Sequence, residues 1–417
     1  PSTVESALAN VYFKMREDGL ASGNFGPGIL MGSYADELDY FNSNINFSRI
    51  YNHNVIDNDA TALAWWNHAY NVIYAVNDII KGVDNSSGLT EVEKDSFKGQ
   101  ALFVRGFMHS LLVKLYGDVP YITTPDYIEN NIITRTPENE VYEKIIIDLK
   151  LAITLLNDTD PTGERVIPNR QVATALLSRV YLYTKNWDLA EKAATEVINK
   201  FNLELDVNKV FLKGSPETIW QFKPDVFPRN NSLEAQWLII QGIPGQNYAL
   251  TDNLLSAFEV GDLRLSNWID DITSLNGQTT LHFAYKYKET FNTTNMSLEY
   301  SIIFRLAEQY FIRAEARANL NNISGSQQDL NKVRNRAGLP NTLAANTNDL
   351  IEAILRERRV ELFTEHGHRW FDLVRYGKAK EIISPIKTSW KDTDILFPIP
   401  ANEIELNPNI KPQNPGY

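Results

Sequence analysis

Apolar residues recur at spacings of three and four positions in several parts of the chain. The stripe within residues 97–116 is wide enough for a buried helix, and the Gly, Asp and Pro of residues 117–120 predict its end. A second helix is predicted over 138–156, with Thr136 as its N-cap and Pro137 in its first turn. These patterns predict long helices rather than strands in the first part of the chain.

Residues 170–200 predict a helical hairpin that breaks at 185–187, with small side chains where the two helices cross. Residues 61–81 and 300–336 have the same form. A strict repeat of about 34 residues is absent from the sequence, so we expect interrupted, tetratricopeptide-like helix pairs rather than an open solenoid.

The pattern changes over residues 213–300, where Pro and Gly interrupt the helical spacing and aromatic residues are scattered. Within it, residues 282–288 alternate as in a short strand. The Pro- and Asn-rich tail, 395–417, is predicted to be extended and to pack on the body through Phe397 and Ile399. The sequence thus predicts a mostly α fold with an irregular, loop-rich half and a few short strands.

Composition narrows the classes of partner. The 52 acidic residues outnumber the 40 basic ones, the net charge is -12, and no Lys/Arg-rich run occurs, so nucleic acid is not an expected partner. The sequence contains no Cys, which excludes disulfides, thiolate metal sites and Cys nucleophiles within it. No apolar run is long enough for a membrane-spanning helix. Because the chain begins at Pro1 without Met or a signal segment, we expect a leader to lie outside it.

Enzymatic and metal-binding motifs are incomplete. Residues 26–28 do not complete a phosphate-binding glycine loop, and the His pair in 366–368 lacks a third ligand at a suitable spacing. The acidic cluster in 36–39 could hold a cation or supply a glycosidase pair, but a solvated loop is favoured. Residues 57–59 begin like a calcium loop without its Gly and closing Glu, which leaves structural calcium open without indicating it. We therefore expect no catalytic residue, no metal site and no cofactor.

Several segments together resemble one known family. The charged run 356–361 is interpreted as an ion-pair network on a helix, and Trp370 as a buried anchor. The C-terminal motifs are R-L-A-E from Arg305, A-E-A from Ala314, L-N-K-V-R-N-R-A-G-L from Leu330, E-R-R-V-E-L from Glu357, R-W-F-D-L-V-R from Arg369, P-I-P from Pro398 and Q-N-P-G-Y from Gln413. Upstream, Y-G-D-V-P-Y from Tyr116 and a W, Y, I, N pattern from Trp66 to Asn77 extend the likeness. The chain resembles the SusD/RagB family of outer-membrane nutrient-binding lipoproteins of Bacteroidota.

The resemblance implies a single unit over residues 1–417. A helical scaffold from 61–200 and 300–380 would support irregular ligand-binding regions at 20–60 and 213–300, with the tail from 395. It also implies a non-enzymatic protein at the cell surface that delivers captured oligosaccharide or polysaccharide to a SusC-like TonB-dependent transporter. The family's lipid-bearing Cys is not in this sequence, so anchoring in the outer membrane is implied by the resemblance alone.

Exposed aromatic rings are the expected binding groups for a glycan, because a sugar ring presents an apolar C–H face. Trp65 is the leading candidate: Trp66 fits the family pattern, and the neighbouring residue points about 100° away on a helix. The other predicted ligand-binding residues are Asp36, Asn46, Arg49, Asn52, Trp66, Trp237, Trp268, Tyr285 and Trp390. The negative net charge favours a neutral glycan, such as a β-glucan or chitin-type chain.

The sequence is also compatible with other functions. A peptide-capturing, RagB-like protein is the main alternative, and it would require a longer and less aromatic groove. A helical scaffold for protein partners and a glycoside hydrolase are two further alternatives.

Overall fold

The computed structural model describes residues 1–17, 19–225, 230–290 and 296–417. Most described elements are helices, which confirms the predicted mostly α fold. The helices are α1 (Ser2–Glu17), α2 (Pro27–Tyr34), α3 (Ile45–Tyr51), α4 (Ala60–Asp84), α5 (Glu91–Tyr116), α6 (Tyr127–Asn130), α7 (Glu138–Leu155), α8 (Arg170–Tyr183), α9 (Trp187–Ile198), α10 (Leu233–Leu238), α11 (Asp252–Leu255), α12 (Leu263–Asn267), α13 (Leu306–Asn319), α14 (Ile323–Arg336), α15 (Thr347–Glu361), α16 (His368–Arg375), α17 (Ala379–Ile383) and α18 (Ala401–Leu406). The strands are β1 (Leu38–Tyr40), β2 (Thr218–Phe222), β3 (Tyr248–Leu250), β4 (Ile269–Thr273), β5 (Thr280–Ala284) and β6 (Ser301–Arg305).

The long helices pack in one succession. Helix α4 packs on α5, α5 on α7, α7 on α8 and α8 on α9. The chain then passes through the irregular region, and α13 returns to pack on α9 before α14 and α15 continue the stack. This order is that of stacked helical hairpins, as the sequence predicted.

The sequence explains why α5 begins and ends where it does. Thr90 and Glu93 form a reciprocal capping box, in which each side chain accepts from the other residue's backbone N–H. The helix ends at Gly117, whose φ of 70° lies in the left-handed region that favours glycine. Between these ends, the buried apolar face predicted for this segment packs into the main core.

Three boundary predictions need correction. Thr136 does not cap α7; it pairs with Val119 through backbone hydrogen bonds, and the Asp118 carboxylate accepts from the N–H of Glu138 at 2.8 Å. The segment predicted as helix from residue 300 begins with strand β6, because its residues pair with β2 over the core. The tail is not wholly extended, since α18 interrupts it, although Phe397 and Ile399 are buried as predicted.

The described strands form three separate antiparallel pairs rather than one sheet: β1 with β3, β2 with β6, and β4 with β5. Strand β5 confirms the strand predicted near residue 282, but it ends at Ala284. The pair formed by β1 and β3 joins the early part of the chain to its middle part.

Buried ion pairs hold the C-terminal helices together. The Glu361 carboxylate accepts from Arg264 at 2.9 Å and from Arg305 at 2.5 Å, and Arg336 also donates to it. Arg358 donates to the Asp372 carboxylate at 2.6 Å. The charged motifs of this half are therefore structural, which confirms the ion-pair interpretation of residues 356–361.

No helix in the described part of the chain is long and apolar enough to cross a membrane.

Candidate functional site

An open cleft forms where the early loop region meets the middle of the chain. The antiparallel register of β1 and β3 sets Tyr40 opposite Tyr248 and brings together residues that are about 200 positions apart. The cavity volume of the cleft is about 240 Å³. All of its lining residues come from the two regions, 20–60 and 213–300, that the sequence marked as irregular.

Aromatic rings form the floor and rim of this cleft. Phe47 and Tyr248 are buried in the floor, and Tyr40 lies between them with its ring centroid 5.4 Å from that of Tyr248. Phe25 and Trp237 form the rim and remain 44% and 38% exposed. Phe25 packs edge-on against Phe47 at 5.3 Å. The rim therefore offers two accessible rings, and that of Phe25 is held in place by Phe47.

Asparagine amides supply the polar part of the lining. Asn42 donates from Nδ2 to Asn247 Oδ1 at 2.6 Å, and the Tyr248 hydroxyl donates to Asn24 Oδ1 at 3.3 Å. Asn44 caps α3 by accepting from two backbone N–H groups. A side-chain amide has two N–H donors and an acceptor oxygen, so Asn42 and Asn247 keep groups that can orient hydroxyls.

The cleft is uncharged. None of the described residues that line it is acidic, basic or His. Burial raises the pKa of the Tyr40 and Tyr248 hydroxyls, so both stay neutral at physiological pH. Amides, phenols and rings can bind and orient a neutral polar ligand, but this lining offers no acid–base pair for catalysis. Across the described residues, no group of three or more His, Cys, Asp or Glu side chains is placed to hold a metal ion.

Trp237 is the predicted binding residue that lies in the cleft. The leading candidate does not. Trp65 is 1% exposed, packs on Phe397 at 5.4 Å, and donates from Nε1 to the backbone oxygen of Phe25 at 2.6 Å. Trp66 is buried as well, against Tyr70 and Tyr116. The expectation that one of these two Trp rings faces solvent is wrong, because α4 is covered on both of the faces that carry them.

Two more predicted residues are structural. The Asp36 carboxylate is buried and accepts from Arg369 at 2.8 Å and from Arg359 at 2.8 Å. Burial opposes its ionisation, but the two guanidinium groups hold the pKa of Asp36 below its usual value. The favoured prediction of a solvated acidic loop is therefore wrong for Asp36 and also for the buried Glu37. Trp268 is fully buried, and its Nε1 donates to the Val207 backbone oxygen at 2.7 Å.

The remaining predicted residues lie outside the cleft lining. On α3, Asn46 and Arg49 are half-buried, and the exposed Asn52 bonds back to Ser48. Tyr285 is half-buried and packs edge-on against Phe283, 5.9 Å away. The half-buried Trp390 donates from Nε1 to Asp392 at 3.2 Å. None of these side chains meets Trp237 in the cleft.

Sequence reasoning missed most of the cleft. The missed lining residues are Asn24, Phe25, Tyr40, Asn42, Asn44, Phe47, Asn247 and Tyr248. A local signal existed, because residues 41–47 read F-N-S-N-I-N-F, in which apolar residues flank repeated Asn. The pairing of this segment with residues near 247 had no local signal.

The fold and its motifs identify the family. Residues 2–182 match a family model described as "Starch-binding associating with outer membrane", and residues 262–417 match one described as "SusD family". The chain belongs to the SusD family. It is 29% identical to SusD-like protein P2 of Formosa agariphila over 93% of this chain and 87% of that protein.

Solved structures of the SusD superfamily share the whole fold. A SusD superfamily protein from Bacteroides vulgatus superposes with a TM-score of 0.86 at 21% identity, over 99% of this chain and 98% of that one. A structure described as a laminarin binding SusD-like protein gives a TM-score of 0.83 at 23% identity, over 100% of this chain and 99% of that one. At these identities the likeness shows the fold.

Proposed function

We propose that this SusD-family protein captures neutral oligosaccharide or polysaccharide in the cleft between Phe25 and Trp237. The observation that carries the proposal is the pairing of two accessible rings with an uncharged, amide-rich lining. A sugar ring has an apolar C–H face and several hydroxyls, so it needs both kinds of group. A charged glycan would have to bury its carboxylate or sulfate without a cation beside it, which is costly.

The cleft geometry favours weak and reversible binding. Phe25 is already packed against Phe47, so little order is lost when a ligand stacks on its ring. The site is an open cleft, and we expect dissociation constants between about a micromolar and a millimolar, or roughly 4 to 8 kcal/mol. Such affinities suit a protein that passes its ligand on.

A β-glucan is the preferred class of ligand. One structural relative is described as laminarin binding, and laminarin is a neutral β-glucan. The uncharged lining of this chain's own cleft agrees with a ligand of that charge. Chitin-type chains are also neutral and form the comparison in the test.

We further propose that the protein acts without catalysis, as a cell-surface lipoprotein of the outer membrane that hands glycan to a SusC-like TonB-dependent transporter. The support is the match to a family model described as associating with the outer membrane, together with a cleft whose described lining has rings and amides but no acid–base pair. Prolonged incubation with a bound polysaccharide should release no reducing sugar.

The test is affinity electrophoresis in gels that contain laminarin, soluble chitin oligomers or alginate. We expect laminarin to retard the wild-type protein and the anionic alginate to leave its migration unchanged. Trp237→Ala should weaken retardation by about tenfold or more, because a stacked ring contributes over about 1.4 kcal/mol when its area is included.

Tyr127→Ala is the matched control, since Tyr127 is an exposed ring on α6 outside the cleft. It should bind like the wild type. Equal retardation of the Trp237 and Tyr127 variants would contradict the assignment of the site. If the wild type binds peptides but none of the three glycans, and Trp237→Ala loses that peptide binding, the peptide-capturing alternative is favoured.

A further inference from the structure

The free hydrogen-bonding groups of the cleft are unevenly divided between donors and acceptors. The side-chain oxygens of the lining belong to Asn24, Tyr40, Asn42, Asn44, Asn247 and Tyr248. All of them except the Tyr248 oxygen already accept a hydrogen bond from the protein, and Tyr248 is buried in the floor. The described lining therefore offers a ligand few free acceptors.

Backbone N–H groups fix which way the amides of the lining point. A backbone N–H can only donate, so Asn42 Oδ1 is the atom that accepts from Ser43 at 2.6 Å. Asn42 Nδ2 is then the atom that donates to Asn247 Oδ1, which leaves Asn247 Nδ2 unused. Asn44 is fixed in the same way, because its Oδ1 accepts from two backbone N–H groups in the first turn of α3.

The unused groups of the cleft are N–H donors. In the described part of the chain, nothing accepts from the Nδ2 atoms of Asn44 and Asn247, and Asn42 Nδ2 uses one of its two hydrogens. The Nε1–H of Trp237 likewise has no acceptor among the described residues. A ligand can reach these side chains, because Asn42, Asn44 and Trp237 are exposed and Asn247 is half-buried. The cleft thus presents several N–H donors beside its apolar rings.

This division distinguishes among the substituents that a neutral glycan can carry. A hydroxyl brings a donor as well as an acceptor, and an acetamido group brings an N–H; each of these donors needs an acceptor oxygen or a water molecule in the cleft. An O-acetyl ester brings a carbonyl oxygen that accepts and a methyl group that packs on rings, but it brings no donor. The ester is also uncharged, like the lining. Of these substituents, only the ester leaves no donor of its own unpaired.

We propose that the cleft binds an O-acetylated neutral glycan in preference to the same chain without its esters. An acetyl carbonyl accepts from Asn247 Nδ2, and the acetyl methyl group packs on the rim rings. Asn247 determines this specificity, because its amide is half-buried, is held by Asn42 and is unused on its donor side. The inference rests on the proposed glycan-binding function and adds to it the class of substituent that the site recognises.

The same reasoning disfavours a chitin-type chain. Its acetamido groups carry the carbonyl oxygen of an ester, but each also carries an N–H. That N–H finds few free acceptors in the described lining, so part of the gain from the carbonyl is lost.

The experiment compares one polymer with and without esters. Laminarin is acetylated to a low degree, and half of the preparation is then de-esterified with mild alkali, so that both gels hold chains of the same length and linkage. In affinity electrophoresis the acetylated form should bind the wild type with a dissociation constant at least about fivefold lower than the de-esterified form, because one hydrogen bond is gained.

Two variants of Asn247 test the donor. Asn247→Asp keeps the oxygen that accepts from Asn42 and removes both N–H donors, and Asn247→Leu removes them without adding a charge. In both variants, the dissociation constants of the two laminarin forms should agree within about twofold. Asn131→Asp is the matched control, because Asn131 is exposed at the end of α6 and lies outside the lining. It should keep the wild-type preference for the acetylated form.

Equal retardation of the wild type by the acetylated and de-esterified forms would overturn this inference and leave the proposed glycan function standing. The inference is also overturned if both Asn247 variants keep the wild-type preference. If no form of laminarin retards the wild type, the proposed glycan function fails and this inference fails with it.

Discussion

Substitution of Trp65 tests whether this residue is a buried part of the scaffold or an exposed ring on which a ligand stacks. Its ring is enclosed between α4 and Phe397, and its Nε1–H fixes the backbone oxygen of Phe25 at 2.6 Å. Phe25 in turn presents one of the two exposed rings of the cleft. Trp65 therefore acts as a positioning residue, because it touches the glycan site only through the backbone of Phe25.

The expected magnitude follows from this environment. Trp65→Ala removes a large, fully buried ring and leaves a cavity, which costs about 3 to 5 kcal/mol of unfolding free energy. Trp65→Phe keeps most of the apolar volume and removes the hydrogen bond, for a loss of about 1 kcal/mol. The Phe variant should also lower laminarin affinity, because the backbone of Phe25 loses its hydrogen bond. The loss should be only a few-fold, because the Phe25 ring still packs on Phe47.

The assay combines urea unfolding, followed by tryptophan fluorescence and circular dichroism, with affinity electrophoresis on laminarin. Trp237→Ala supplies the opposite pattern, with weak binding and a nearly unchanged unfolding midpoint, because its ring is partly exposed. The reasoning is refuted if Trp65→Ala unfolds within about 1 kcal/mol of the wild type while its glycan binding is lost. That result would mean that Trp65 contacts the glycan directly.

Two further predictions concern buried carboxyl groups. Glu361→Gln should cost about 3 to 5 kcal/mol of unfolding free energy, because Arg264, Arg305 and Arg336 would lose their shared carboxylate; a loss under about 1 kcal/mol in urea unfolding would contradict this. Burial raises the pKa of Glu37 to about 7, so between about pH 4.5 and pH 7 the folded protein holds a proton that the unfolded chain releases. Stability from this group is thus present at low pH and lost as pH rises, and Glu37→Gln should gain roughly 3 kcal/mol relative to wild type across that window. A difference in unfolding free energy between wild type and Glu37→Gln that stays constant from pH 4.5 to pH 8 would show that Glu37 ionises normally.

Part of the candidate site was accessible from sequence. Trp237 lies in a segment whose sequence lacks helical periodicity, but that signal does not distinguish it from Trp268, which lies in the same segment and is fully buried. The prediction for Trp65 rests on the angle of about 100° between neighbouring side chains on a helix. This angle gives the direction of each side chain but not the residues that pack over it. The burial of Trp65 depends on Phe397, more than 300 residues away. The angle between neighbouring residues therefore could not predict that Trp65 is buried.

The helical scaffold can be predicted from the sequence, because the signals that specify it are local. The apolar spacing, the Thr90 and Glu93 capping box and the stop at Gly117 are each defined by residues only a few positions apart. The charged motifs near Arg305 and Glu361 likewise indicated a paired, structural network. Which rings remain exposed, and where the uncharged cleft lies, depends on long-range packing, because the pairing of Tyr40 with Tyr248 joins segments far apart in the chain. Exposure is a property of what packs over a residue, and that is set by contacts that no local pattern records.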